Sequence, residues 1–148
     1  MSVSVQSFPI PLILSANLVS ALSDPRRALR IVTRRDGTTV TIYAGGEVDA
    51  ANEHIWQQLL REAAAATAPP GPLVIDTDGL DFMGGCAFTA LAEEADRCRR
   101  RGIRMCVVSR KPMVGRIITV GGLGSRLPVY PTVGNALYAA AADMSASG

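Results

Sequence analysis

Few side chains in this 148-residue chain are of types that do chemistry by themselves. There are three cysteines, Cys86, Cys98 and Cys106, and a single histidine, His54. No two cysteines stand at CxxC spacing, so neither a zinc site nor a disulfide framework is indicated. His54 falls on a different predicted helix from Cys86, and no Cys–His pair, paired carboxylates or converging metal ligands can be placed. The expectation is no catalytic residue, no metal and no cofactor. Cys98 and Cys106 take apolar positions in their elements and read as small core residues. Cys86 differs. It follows Gly84-Gly85 at the predicted start of a helix, where a thiol is more reactive, and in a loop expected to be accessible. A quiet structural cysteine and a redox sensor are both open readings of it.

The stretch that positions Cys86 is residues 73–91, LVIDTDGLDFMGGCAFTAL. Leu73-Val74-Ile75, bounded by Pro/Gly punctuation and Asp76, reads as a short strand buried on both faces. Asp-Gly and Gly-Gly then flank Leu80 and Phe82, which predicts a sharp turn, with the two glycines relieving it. From Cys86 to about Arg101 the period becomes helical, with Phe88, Leu91, Ala95 and Cys98 inward. Glu93, Glu94 and Asp96 precede Arg97, Arg99, Arg100 and Arg101. Acid early and base late complements the helix dipole, so the arginines read as a solvated helix end stopped by Gly102.

Upstream, Leu29, Ile31 and Thr33 alternate with Arg30, Val32 and Arg34, Asp36-Gly37 turns, and Val40, Ile42 and Ala44 alternate with Thr39, Thr41 and Tyr43. That is a β-hairpin, ended by Gly45-Gly46-Glu47-Val48-Asp49. A helix is predicted over 51–66 with Ile55, Trp56, Leu59, Leu60 and Ala63 buried and Asp49 as its cap. Downstream come a strand over 103–109, a helix from Pro112 to about Val120 with Met113, Ile117 and Val120 inward, a short strand over 127–130, and a helix capped by Thr132 carrying Ala136, Leu137, Ala140 and Ala141. Alternation of this kind predicts an α/β fold: a mixed sheet of four or five strands, antiparallel only at the hairpin, with helices mainly on one face.

Composition sets the outer limits. With 48% apolar and 19% charged residues the chain is an ordinary globular domain, and a formal net charge of +2 does not indicate a nucleic-acid partner. The apolar run Phe8–Leu14 contains two prolines and has no basic residues before it, so neither a signal peptide nor a membrane span is expected. Residues 1–28 read as an arm packed on the domain or on a second subunit, with a mobile tail as the alternative, 29–144 as the domain and 145–148 as a tail. The cysteine usage suggests a reducing, cytoplasmic compartment.

In order and spacing, several short motifs resemble the STAS domain of bacterial anti-sigma factor antagonists from about residue 29 to residue 142. Gly46-Glu47-Val48-Asp49 is similar to the family's Gly-Glu-Leu-Asp at the hairpin end. Leu80-x-Phe82-Met83 resembles the entry to its phosphorylation loop, and Phe88-x-x-Leu91 the helix that follows. Pro112-x-Val114-x-Arg116, Gly122-Leu123 and Ala136-Leu137 resemble its C-terminal half. The resemblance implies binding to an anti-sigma factor that doubles as a serine kinase, at a surface including Glu47, Asp49, Met83, Gly84, Gly85 and Cys86. It also implies a phospho-acceptor serine at the position of Gly85, preceded by an aspartate at that of Gly84. Neither is present here, so the usual switch, in which phosphate charge blocks docking, is expected to be lost. The alternatives carried from the residues are a scaffolding module, dimeric through the N-terminal arm, and a thiol sensor acting through Cys86.

Overall fold

The computed structural model describes residues 10–26 and 28–147. Its elements run α1 (Ala16–Leu22), β1 (Leu29–Asp36), β2 (Thr39–Val48), α2 (Glu53–Ala66), β3 (Leu73–Met83), α3 (Gly85–Arg100), β4 (Met105–Val108), α4 (Pro112–Val120), β5 (Val129–Tyr130) and α5 (Val133–Ser147). The five strands form one sheet in sequence order, antiparallel between β1 and β2 and parallel from there on. This is the mixed sheet that the alternation predicts. Side chains of α2, α3 and α4 share one core with Ile42, Leu73, Ile75 and Met105, while Ala136 of α5 packs with Val74, Cys106 and Val108 on the opposite face.

The hairpin closes as expected, with Leu29 opposite Gly46 and Asp36 opposite Thr39. Both central strands are longer than the sequence suggests. β2 continues through Gly45 and Gly46 to Val48, and β3 does not turn at Asp76 but runs on to Met83. The register shows how. Tyr43 pairs with Asp76 but Gly45 with Gly79, and Gly46 pairs with Leu80 but Glu47 with Phe82, so β3 bulges twice. Extra residues at bulges destroy the period-two signal while the ladder goes on. Gly79 is needed for this pairing: a Cβ there would lie 2.9 Å from the Ala44 carbonyl oxygen.

Helix α2 buries Ile55, Trp56, Leu59, Leu60 and Ala63 as expected, and Ala64 as well. It starts at Glu53, and Asp49 does not cap it. The Asp49 carboxylate instead accepts from the amides of Ala51 (2.9 Å) and Asn52 (3.3 Å), closing the turn before the helix. In α4 the buried side chains are Val114 and Ile118, and the expected inward residues are exposed: Met113 by 66%, Ile117 by 40% and Val120 by 82%. Apolar residues surround this helix, and two faces satisfy the helical spacing equally.

The N-terminal arm packs on the domain. Ile10 exchanges backbone hydrogen bonds with Arg35, the Leu12 amide donates to Thr33 Oγ1, and Leu18 is fully buried. Ser15 accepts from the Leu18 amide, capping α1, and donates from its own amide and hydroxyl to Glu62 of α2. Phe8 and Pro9 lie outside the described residues. At the other end α5 continues to Ser147, into the segment read as a tail.

Candidate functional site

The elements converge at the end of the sheet where β2 and β3 finish. Glu47 stands beside Phe82 and Val48 beside Met83, and the Gly84 amide donates to the Val48 carbonyl at 2.9 Å. The hairpin end and the 84–86 loop are therefore one surface, as the sequence reading places them. Asn52, which that reading does not single out, fastens it. The side chain is buried; its Nδ2 donates to the Glu47 carbonyl and its Oδ1 accepts from the Asp49 amide, each at 2.9 Å. A buried amide satisfied at both ends holds both acidic residues in place. Asn52 falls inside the helix expected over 51–66, so the sequence carried no signal for this role.

Helix α3 is anchored from behind. Trp56, fully buried, donates from Nε1 to the Ala87 carbonyl at 3.2 Å, and the Ala87 amide donates to the Gly84 carbonyl at 2.9 Å. Gly84 takes the N-cap position with φ −69° and ψ 165°, an extended conformation open to any residue. A Cβ on it would make only ordinary contacts, the nearest at 3.6 Å, and one on Gly85 would meet nothing within 4 Å. The two glycines are thus not demanded by a tight turn, contrary to expectation. Both positions have room for a side chain, and Gly85 is exposed.

Around this loop Glu47 is exposed, Asp49, Met83 and Cys86 are half-buried, and Phe82 is 52% exposed. Thr89 carries the only hydroxyl side chain between residues 80 and 90, and it donates to the Gly85 carbonyl at 3.2 Å. The start of α4 is tied to the same end of the sheet: the Arg110 amide donates to Asp78 Oδ1 at 2.8 Å and Lys111 Nζ donates to the Leu80 carbonyl. Close by, burial raises the Asp76 carboxyl above its usual range; the Asp78 amide opposes this, while the Asp78 carboxylate adds to it. The exposed stripe Met113, Ile117 and Val120 extends from there along α4.

The three thiols differ in setting. All are free; Cys98 and Cys106 are buried and Cys86 is half-buried. Burial, with Glu94 adding to it, pushes the Cys98 thiol up to about 11, and burial also pushes Cys106 up. His54 lies on α2, as expected, and is exposed. Among the described residues no three His, Cys, Asp or Glu side chains are grouped to hold a metal, and no helix is long and apolar enough to cross a membrane.

Residues 30–136 match the STAS domain family profile. The chain belongs to the STAS domain family. Two proteins of Mycobacterium tuberculosis are 54% identical to it. One is the proposed anti-anti-sigma factor Rv2638, over 132 residues covering 89% of this chain and 88% of that one. The other is the anti-sigma-F factor antagonist RsfA, over 112 residues covering 76% and 88%. Among solved structures, an anti-sigma factor antagonist from Mycobacterium paratuberculosis superimposes with a TM-score of 0.67 at 28% identity, covering 80% of this chain and 97% of that one. In this STAS domain the end of β2, the 84–86 loop and the first turn of α3 form one continuous surface whose central residue has no side chain.

Proposed function

We propose that this STAS domain is a non-catalytic, cytoplasmic regulator that binds an anti-sigma factor of the serine-kinase type without being phosphorylated at the 84–86 loop. The relatives named as antagonists support the role, since the identity extends over most of both chains. One observation carries the second half: Gly85, first residue of α3, is exposed and has open space where a side chain would go. The fold does not need glycine there, which supports reading the position as kept clear for a docking partner. Glu47, Asp49, Met83, Gly84 and Cys86 surround it, with Phe82 and the α4 stripe offering carbon for burial.

The test is to titrate the purified chain, by calorimetry, against each anti-sigma factor encoded in its own genome. At least one should bind and release its sigma factor. Gly85→Glu should weaken that complex at least tenfold, about 1.4 kcal/mol, because a charge would be buried there without a partner. Arg100→Glu, on an exposed residue in the last turn of α3, should change affinity much less. Equal losses from both variants would mean that docking is elsewhere. Binding to none of them, together with a stable homodimer, would replace the antagonist reading with a scaffolding one.

A further inference from the structure

At the opposite end of the sheet, just before β3, β4 and β5 begin, lies a cleft of about 870 Å³. Its walls are of two kinds. Pro72, Ala95, Met105, Pro128 and Ala140 supply carbon, while guanidinium groups come from Arg99 on α3, Arg104 in the loop before β4 and Arg126 in the loop before β5. Asp96 accepts from both Arg99 (2.9 Å) and Arg126 (3.0 Å to Nε, with Nη2 on its other oxygen). Arg104 donates to Asp143 and, at 2.6 Å, to the Tyr130 hydroxyl. Three guanidiniums thus face two carboxylates, leaving one positive charge in excess.

Donors are left over as well. Arg126 spends Nε and Nη2 on Asp96 and Arg99 spends Nη2 there; among the described residues the other nitrogens of these two guanidiniums have no acceptor. Arg104 Nε is buried without an acceptor. The Cys106 thiol on β4 lies close enough to that guanidinium for a side-chain hydrogen bond, but a protonated thiol accepts only weakly. Guanidiniums are weakly hydrated and suit carboxylate or phosphate oxygens in a fork geometry. The volume falls in the range of small-molecule sites, which pair an apolar wall with a few fixed polar groups.

We infer that this cleft binds a small amphiphilic anion, a carboxylate or phosphate monoester on an apolar body, with its charged group on Arg99, Arg104 and Arg126 and its carbon against Met105, Pro128 and Ala140. The site is separate from the proposed docking surface. Residue 73 begins β3 and residue 83 ends it, a span on the order of 30 Å for a strand of that length.

Amide chemical shifts of the full chain, titrated with octanoate and with octyl phosphate, test the inference. At least one should give saturable shifts clustered at Arg99, Gly102–Met105, Ser125, Arg126 and Ala140, and the tighter of the two identifies the headgroup. Octanol and inorganic phosphate should each bind at least tenfold more weakly. Arg104→Gln should weaken binding at least fivefold; Arg99→Gln, on a mostly exposed side chain and so safe for folding, should weaken it at least twofold. The inference is overturned if neither anion gives saturable shifts at millimolar concentration. It is equally overturned if the shifts centre on residues 82–89, if octanol or phosphate binds as tightly as the amphiphile, or if Arg99→Gln binds like the unmodified chain.

Discussion

Within the sheet, a Cβ on Gly46 of β2 would stand 1.7 Å from the carbonyl oxygen of Ala28, just ahead of β1, and one on Gly79 of β3 2.9 Å from that of Ala44 on β2. At the loop that follows β3, one on Gly85 would meet nothing within 4 Å. Gly79 lets β3 approach β2 through the bulge, and Gly46 lets β2 close on the residue that precedes β1; at Gly46 a φ of +93° adds a conformation that other residues rarely adopt. Gly84 and Gly85 satisfy no such demand. The same residue type is thus a packing requirement in one region and an absent side chain in the other, and only the absence lies on the proposed docking surface.

The contrast predicts opposite outcomes for the same class of substitution. Gly46→Ala should be the most damaging, by about 3 kcal/mol or more, combining a backbone clash with a positive φ; denaturant unfolding measures it. Gly79→Ala should cost roughly 1–3 kcal/mol, as overpacking typically does. Gly84→Asp with Gly85→Ser should be neutral or stabilising by about 0.5 kcal/mol, since an acid at the N-cap can accept from free helix amides and serine outperforms glycine inside a helix. A loss above about 1 kcal/mol for that pair would show that the loop, too, requires its glycines.

Smaller still should be the effect on the fold of modifying Cys86. Native alkylation at pH 8 should reach Cys86 first, because Cys98, with its thiol at about 11, is on the order of one part in a thousand thiolate there and is buried besides. Far-UV circular dichroism should not change. Partner binding should fall in step with modification if the thiol stands on the docking surface. Unchanged binding after complete reaction would remove Cys86 from that surface and end the redox-sensor reading. A Cys86–Cys98 bridge is not expected, because twelve residues along α3 separate the two by roughly 18 Å.

Particular residues show how far the sequence could be read. The face of α2 was legible because Ile55, Trp56, Leu59, Leu60 and Ala63 recur among Gln57, Gln58, Arg61 and Glu62, so only one side could be buried. Helix α4 has no such contrast: Val114 and Ile118 compete with Met113, Ile117 and Val120, and the packing chose the first pair. The second half of β3 was hidden because its two bulges break alternation. Glu47, Asp49 and the 84–86 loop could be grouped through the family resemblance, and the structure does bring them together. That their glycines have room for side chains depends on φ, ψ and neighbouring atoms, none of which a residue name carries. The arginine cleft was illegible for another reason. Arg99 lies on α3, Arg104 in the loop before β4 and Arg126 in the loop before β5, and the Arg99 run looks like an ordinary solvated helix end until Asp96 and Arg126 are seen together.

Incubation of the chain with ATP and a serine-kinase anti-sigma factor that binds it, followed by mass spectrometric mapping of phosphate, tests the central claim most directly. The complex should form and residues 80–90 should carry no phosphate, whereas the Gly84→Asp, Gly85→Ser variant should become phosphorylated at residue 85. Phosphate on Thr89 of the unmodified chain, accompanied by loss of binding, would contradict the account.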